Sequence, residues 1–564
     1  MYHFLQTKSL SEQIEFMTKQ LVQIPSVTGT EGESKKADQI KQWIASFPYF
    51  QRHPEHLWEQ VIPDSKYRKK NIFAFVKGGL SAPATMIYHS HFDTVGVKDF
   101  GSIEDKAFNP DALMAYFKEY EADPEVKAEA QSGDWMFGRG ALDMQSGDAV
   151  HLANLLYFSE HHDEMQGNLL VMFNPDEESE HKGVIAAISE LKRLQIEEGL
   201  EFIAAINSDF VSPLFENDKT HYLYTGAAGK LLPSFYIYGR ESHVGETLKG
   251  IDSTLIASKI NWQINNNMDL IEDIEGEVVN PPSCLYQRDE KDIYNVQTPF
   301  KTYMYFNYFL YEESLAGVIN KLKRLTIDAC TAVEEKLKEN YDRYAKKTGQ
   351  ITSQLSWHIE VNTLQEYISL LKDRGIDVDH VIRQTVQDHK GMELRELSFK
   401  IVDALQQKDS EKKPRVILFY SPPYLPNNYL RDHKLRDHMI LNAMKQVVEE
   451  SGEQDSFAIK RFFPFLSDSS YLSLHETNEG LEALIENFSL WNECYSIPVK
   501  DIRSLSIPAI NMGVYGKDAH KWTERVYKPY SFNTLPMLIR RLTEILLTQD
   551  TSVRKSKEYF EYKK

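Results

Sequence analysis

The segment Met172-Phe173-Asn174-Pro175-Asp176-Glu177-Glu178 follows an apolar run (Leu169, Leu170, Val171) and ends in three adjacent carboxylates. The run reads as a short buried strand that Asn174-Pro175 stops. The acids then stand at the carboxyl end of a strand, where open α/β sheets place their sites. Adjacent carboxylates repel one another unless a proton or cation lies among them. Glu178 is therefore read as a metal ligand and Glu177 as a free base; the plainer reading is a solvated acidic turn. Four further candidate ligands occupy strand ends or loop starts: His91, Asp143, Asp209 and His520. Two imidazoles and three carboxylates suit zinc, which takes nitrogen and oxygen donors at about 2.0–2.2 Å. Two ions about 3.5–4 Å apart need a ligand in common, and Asp143, with its two oxygens, is the candidate bridge. Asp93 is expected to accept the ring N–H of His91 and fix its orientation. Glu177 would take a proton from a water whose pKa zinc lowers toward 7. Each residue has a dull alternative: Asp143 as a helix cap, Asp209 and Glu524 as surface acids, His520 as a loop residue. Only the ensemble is informative.

These residues need a scaffold. Apolar spacing predicts a helix over 9–23, and Thr30 with Glu33 reads as a capping box for a second one running to about Phe47. Strands are expected at 71–76 and 85–88, the latter running into His89-Ser90-His91-Phe92-Asp93. A loop-rich insertion spans roughly Val97 to Asp134, holding Asn109-Pro110 and a short helix candidate near Leu113–Tyr120. Gly138-Arg139-Gly140-Ala141-Leu142-Asp143 then leads to a helix near 147–155, and a buried strand at 202–206 ends at Asn207-Ser208-Asp209. Alternating strands and helices point to a mostly parallel sheet. Tyr222 to Tyr238 reads as a hairpin or strand pair and Tyr303 to Leu310 as a strand. A long charged helix spans about 315–344, so residues 226–410 form a second, inserted α+β domain. Residues 1–225 and 411–564 make the first domain, which closes with an amphipathic helix at about 533–547.

The chain has 564 residues and a net charge of −19, which speaks against nucleic acid and against anionic membrane surfaces. Three separated cysteines imply no disulfide framework, and no apolar stretch reaches the roughly 18 residues of a membrane span. No signal peptide is evident at the N-terminus, and a cytoplasmic location is expected.

The ensemble resembles the M20 family of zinc metallopeptidases and amidohydrolases. The matching pieces, in the family's order, are Ser90-His91-Phe92-Asp93-Thr94-Val95, Gly138 to Met144, Asp176-Glu177-Glu178, Asn207-Ser208-Asp209, and Ala519-His520 with Glu524. Length and the loop after Asp93 make it look most like the RocB-type arginine-utilisation branch. The resemblance implies an α/β catalytic domain with an inserted α+β lid, and two zinc ions (cobalt or manganese as alternatives) held by His91, Asp143, Glu178, Asp209 and His520. It also implies that His243 of the lid stabilises an oxyanion, a role worth about 3–4 kcal/mol. Substrates would be small peptides or acylated amino acids, and the protein a monomer or a lid-mediated homodimer. Three departures stand out. Fifty-one residues separate His91 from Asp143, an insertion expected to shape the pocket mouth. Gln145-Ser146 replace the usual Lys-Gly. Asp468-Ser469-Ser470, read as substrate-binding, lacks the Arg that clamps a substrate carboxylate. The alternative reading is a catalytically inactive, metal-containing binding or regulatory protein of the same fold.

Overall fold

The computed structural model describes residues 1–63, 65–80, 82–349, 357–431, 434–452, 456–465 and 467–561. The chain divides into two compact units. The first comprises Met1–Ala228, Asn427–Leu474 and Pro498–Lys564; the second comprises Gly229–Pro426 and His475–Ile497. The inserted domain is expected at 226–410; the second unit spans Gly229–Pro426 with His475–Ile497. Arg415–Leu425, assigned from sequence to the first domain, pairs antiparallel with Gly229–Tyr238 of the second unit.

An eight-stranded sheet organises the first unit. Its spatial order is Leu57–Val61, Lys70–Val76, Asn168–Asn174, Ala84–His91, Glu201–Asn207, Ala509–Asn511, His221–Tyr224 and Phe457–Lys460. The centre is parallel: Ala84–His91 lies between Asn168–Asn174 and Glu201–Asn207, both running its way. The flanks are mixed, since Lys70–Val76 joins antiparallel and Ala509–Asn511 meets His221–Tyr224 antiparallel. His221–Tyr224 belongs to this sheet and Gly229–Tyr238 to the second unit, so the expected hairpin is instead the passage from one unit to the other. All eight residues of Ala84–His91 and all seven of Asn168–Asn174 are buried, as strands covered on two faces should be. The helices Ser146–Glu160 and Leu535–Glu561 pack against the central strands, and Lys182–Glu197 packs against Lys70–Val76.

Register sets the site. His91 pairs with Asn174, and His89 with Asn207. The three central strands thus end side by side, and Asp93, Glu177, Glu178 and Asp209 follow within four residues of those ends.

Two local expectations change. Leu10–Val22 carries a complete capping box from Ser9 and Glu12, whereas Gly32–Ala45 has none. Glu33 is instead fully buried, pairs with Lys69 at 2.9 Å and accepts the Gly29 N–H. The insertion is more helical than expected: Pro110–Lys118 covers the candidate near Leu113–Tyr120, and Pro124–Ser132 is an additional helix. Asn109 and Asp123 cap backbone N–H groups at the starts of these helices, and each following Pro takes the first helical position.

The second unit is built on a five-stranded sheet ordered Ser283–Asp289, Lys301–Leu310, Gly229–Tyr238, Arg415–Leu425 and Glu360–Thr363. It is antiparallel except for the last pair. Ser253–Ile264 packs on it, and against Leu315–Thr348. No helix among the described residues is long and apolar enough to cross a membrane.

Candidate metal centre

His91 ends a central strand and is 2% exposed. Its Nε2 lies 3.1 Å from Asp143 Oδ1, and its Nδ1 lies 3.6 Å from Asp93 Oδ1. The second distance is too long for the expected hydrogen bond, and Nδ1 is buried without a hydrogen-bond partner. Asp93 does something else: its two oxygens accept the backbone N–H groups of Glu177 (3.0 Å) and Glu178 (3.1 Å). It thereby holds the acidic turn beside the imidazole. The turn is also fixed from behind, where Asp176, at φ 73°, bonds the buried Lys69 that pairs with Glu33.

Asp143 follows the glycine-framed segment Gly138 to Gly140. Its Oδ2 is 3.0 Å from His520 Nε2, which is also 3.0 Å from Glu178 Oε1. Asp143 thus presents one oxygen to each imidazole. Two groups share it: His91, Asp143 and Asp209, and Asp143, Glu178 and His520, with one ligand atom per residue lying within 4.8 Å of the others. All five residues expected as ligands therefore converge. Glu177 belongs to neither group. It falls with His181 and Asp468 in a third buried group, although its Oε2 stands 4.0 Å from His91 Nε2. A fourth group, His53, Glu55 and His56, is partly exposed and lies apart in sequence.

The electrostatics follow from burying so many acids. Burial, with repulsion from Glu178, Asp468 and Asp209, raises the Glu177 pKa well above the carboxylate range despite His91. Burial and Asp143 do the same to Asp209. Burial would lower the His91 pKa, but Glu177, Asp143 and Asp93 override it and raise it well above its usual value. Burial likewise opposes charge on His520, yet its bonds to Asp143 and Glu178 bring its pKa up to about 11. Asp143, against its burial, is held low by the same two imidazoles. This donor set fits divalent cations: oxygen and imidazole ligands converge, negative charge exceeds positive, and a ring nitrogen is left without a hydrogen-bond partner.

Sequence reasoning missed several members. His181 Nδ1 is 2.8 Å from Asp468 Oδ1 and 4.0 Å from Glu177 Oε1; its only signal was its position four residues beyond Glu177. Arg139 is 1% exposed and joins Glu524 (2.7 Å), Asp99 (2.7 Å) and the His520 carbonyl (3.3 Å). Glu524, weighed as a surface acid, is 1% exposed and accepts the N–H groups of Leu142 and Asp143. An arginine between two glycines was the available clue. Asp468, Ser469 and Ser470 are almost fully buried. Ser469 Oγ bonds His89 Nε2 at 2.7 Å, and Ser470 Oγ donates to the Ala228 carbonyl at 3.4 Å. His243 lies exposed on the second unit, capping the turn Val244–Lys249 through a 3.1 Å bond from the Gly245 N–H.

Residues 110–484 match the model of peptidase family M20/M25/M40. Protein RocB of Bacillus subtilis (strain 168) is 52% identical over 539 residues, 95% of each chain. The uncharacterized protein YqjN of the same strain is 33% identical, over 94% of this chain and 96% of its own. Among solved structures, a Staphylococcus aureus tripeptidase matches with a TM-score of 0.50 at 13% identity, covering 95% of this chain and 99% of that one. The aminopeptidase PepT of Bacillus cereus matches with a TM-score of 0.50 at 12% identity, covering 95% and 98%. At those identities the two structures speak for the fold alone. With the family model covering more than half of the chain and a close relative covering nearly all of it, this protein belongs to peptidase family M20/M25/M40.

Proposed function

We propose that the protein is a two-zinc hydrolase that cleaves an amide bond in a small peptide or an N-acyl amino acid in the cytoplasm. A place in amino-acid catabolism, arginine utilisation included, accords with its likeness to the RocB-type branch. The observation that carries the reading is the position of Glu177: buried beside both candidate cation groups, yet a member of neither.

His91, Asp143 and Asp209 would hold one ion, and Asp143, Glu178 and His520 the other. When bound, the ions supply Lewis acidity, lowering the pKa of water and polarising a carbonyl. Glu177 accepts the proton of the attacking water and delivers it to the leaving nitrogen. Asp93 fixes the backbone that carries Glu177, so the base keeps its place as charge moves. His243 is the proposed donor to the developing oxyanion. With Ser470 where an Arg would clamp a carboxylate, a substrate and its C-terminal carboxamide should turn over at comparable rates; a loss of roughly 100-fold on amidation would reject that part of the reading.

The direct test is Glu177→Gln, assayed on a panel of dipeptides and acyl-amino acids with metal counted in the same samples. Turnover should fall by about 10²–10⁴-fold or more, with the metal content unchanged. Near-normal turnover in that variant would refute the mechanism.

A further inference from the structure

The insertion between His91 and Asp143 has no partner in the chemistry proposed above, yet its helices grip the loop that carries His520. That loop is a hairpin: Gly516–Lys517 pairs with Arg525–Tyr527, and the latter pairs in turn with Trp135–Phe137, the strand into which the insertion leads. His520 sits in the loop at φ 64°, with 47% of its side chain exposed. The loop is closed on itself, with Thr523 Oγ1 and Lys521 Nζ both bonding Asp518, but what anchors it to the rest of the unit comes from outside it.

The fixing comes from the insertion. Glu129, on Pro124–Ser132, bonds Lys517 at 2.6 Å through one oxygen and Arg525 Nε at 2.5 Å through the other. It thus ties both strands of the hairpin at the base of the loop. Arg525 passes the restraint inward, bonding Asp518 Oδ2 and the Thr523 carbonyl, and is 2% exposed. Trp522, two residues beyond His520, packs against Phe117 and Tyr120 at ring-centroid distances of 5.3 and 5.2 Å. Asp99, at the start of the insertion, holds the Arg139 that donates to the His520 carbonyl. The other candidate group shares Asp143 but draws its remaining ligands from the sheet: His91 ends one central strand and Asp209 follows another.

We propose that the insertion is a brace that sets the affinity of one cation position, the one served by His520, while the other depends on the sheet, through His91 and Asp209, and on the shared Asp143. Glu129 and Trp522 are its positioning residues: they act on the ion through His520. The inference rests on the two-ion reading above. It gives the insertion a role different from shaping the pocket mouth.

The test strips the full-length chain with chelator, reloads it with zinc alone and measures stoichiometry and affinity by competition with a chromophoric chelator. The wild type should hold two ions. Glu129→Gln and Trp522→Ala should keep one ion at wild-type affinity and bind the second about 10–100-fold more weakly. Trp522→Phe should restore the second ion, because it keeps a ring against Phe117 and Tyr120. The melting temperature of the metal-free Glu129→Gln protein, a charge-to-neutral change at the surface of the hairpin, reports that the fold is intact. If Glu129→Gln and Trp522→Phe both bind two ions as the wild type does while Trp522→Ala does too, or if the variants weaken both ions equally, the brace is refuted. A wild-type chain that takes up no zinc would overturn the underlying two-ion reading instead.

Discussion

The two halves of the metal centre are built in opposite ways. On one side, His91 ends and Asp209 follows neighbouring strands at the parallel centre of a mixed sheet, and they are 2% and 3% exposed. Asp209 is further fixed by the N–H of Phe210 at 2.8 Å. On the other side, His520 rides a hairpin loop with 47% of its side chain exposed, and its ring contacts are the carboxylates it would share an ion with. Packing of the core positions the first half as a by-product of folding. The second half has to be held by contacts made for that purpose.

The sharpest break of this contrast is at the residue common to both halves. Asp143→Ala should abolish binding of both ions and all measurable turnover, as read by metal analysis and assay of the same preparation. If one ion survived at full affinity, Asp143 would not be shared. Next in size is His91→Ala in the metal-free protein. It strands the buried Asp143 and Asp93 without their imidazole, a loss of about 3–5 kcal/mol in denaturant unfolding of the first unit. Glu524→Gln should be milder. It keeps an acceptor for the Leu142 and Asp143 N–H groups but removes the charge facing Arg139, weakening the His520-side ion by about 10–100-fold while sparing the other. The smallest effect is expected for His520→Ala in the metal-free protein, under about 1 kcal/mol, because its ion pairs are partly solvated. Equal destabilisation by His91→Ala and His520→Ala would erase the distinction between a sheet-built and a hairpin-built half.

The same contrast explains what could be read from the sequence. Ligands at strand ends announce themselves in either half, because a buried strand running into His91, Glu178 or Asp209 is a local pattern. His520 was legible only as the last piece of an ordered set. The supports were harder to see: His181 meets Asp468 across 287 positions, and Arg139 meets Glu524 across 385. No local periodicity encodes such pairs. Of the insertion's α-helices only Pro124–Ser132 was missed, since Asp-Pro signals turns and helix starts alike, and only the chain beyond it decides. Likewise Arg415–Leu425 looked like any buried strand, and nothing local said which sheet would take it.

The strand Ala509–Asn511 has a consequence for how the molecule is made. It lies between Glu201–Asn207 and His221–Tyr224, so a strand from late in the chain fills a slot between two early ones. On the ribosome, His91, Asp143, Glu178 and Asp209 all emerge well before that strand and before His520. Until they arrive, the growing polypeptide carries a split sheet with two open edges and an acidic cluster short of its last imidazole. Such edges invite wrong pairing, so the first unit reaches its native state only after that strand and His520 have emerged. The second unit, most of it contiguous, can fold while it waits.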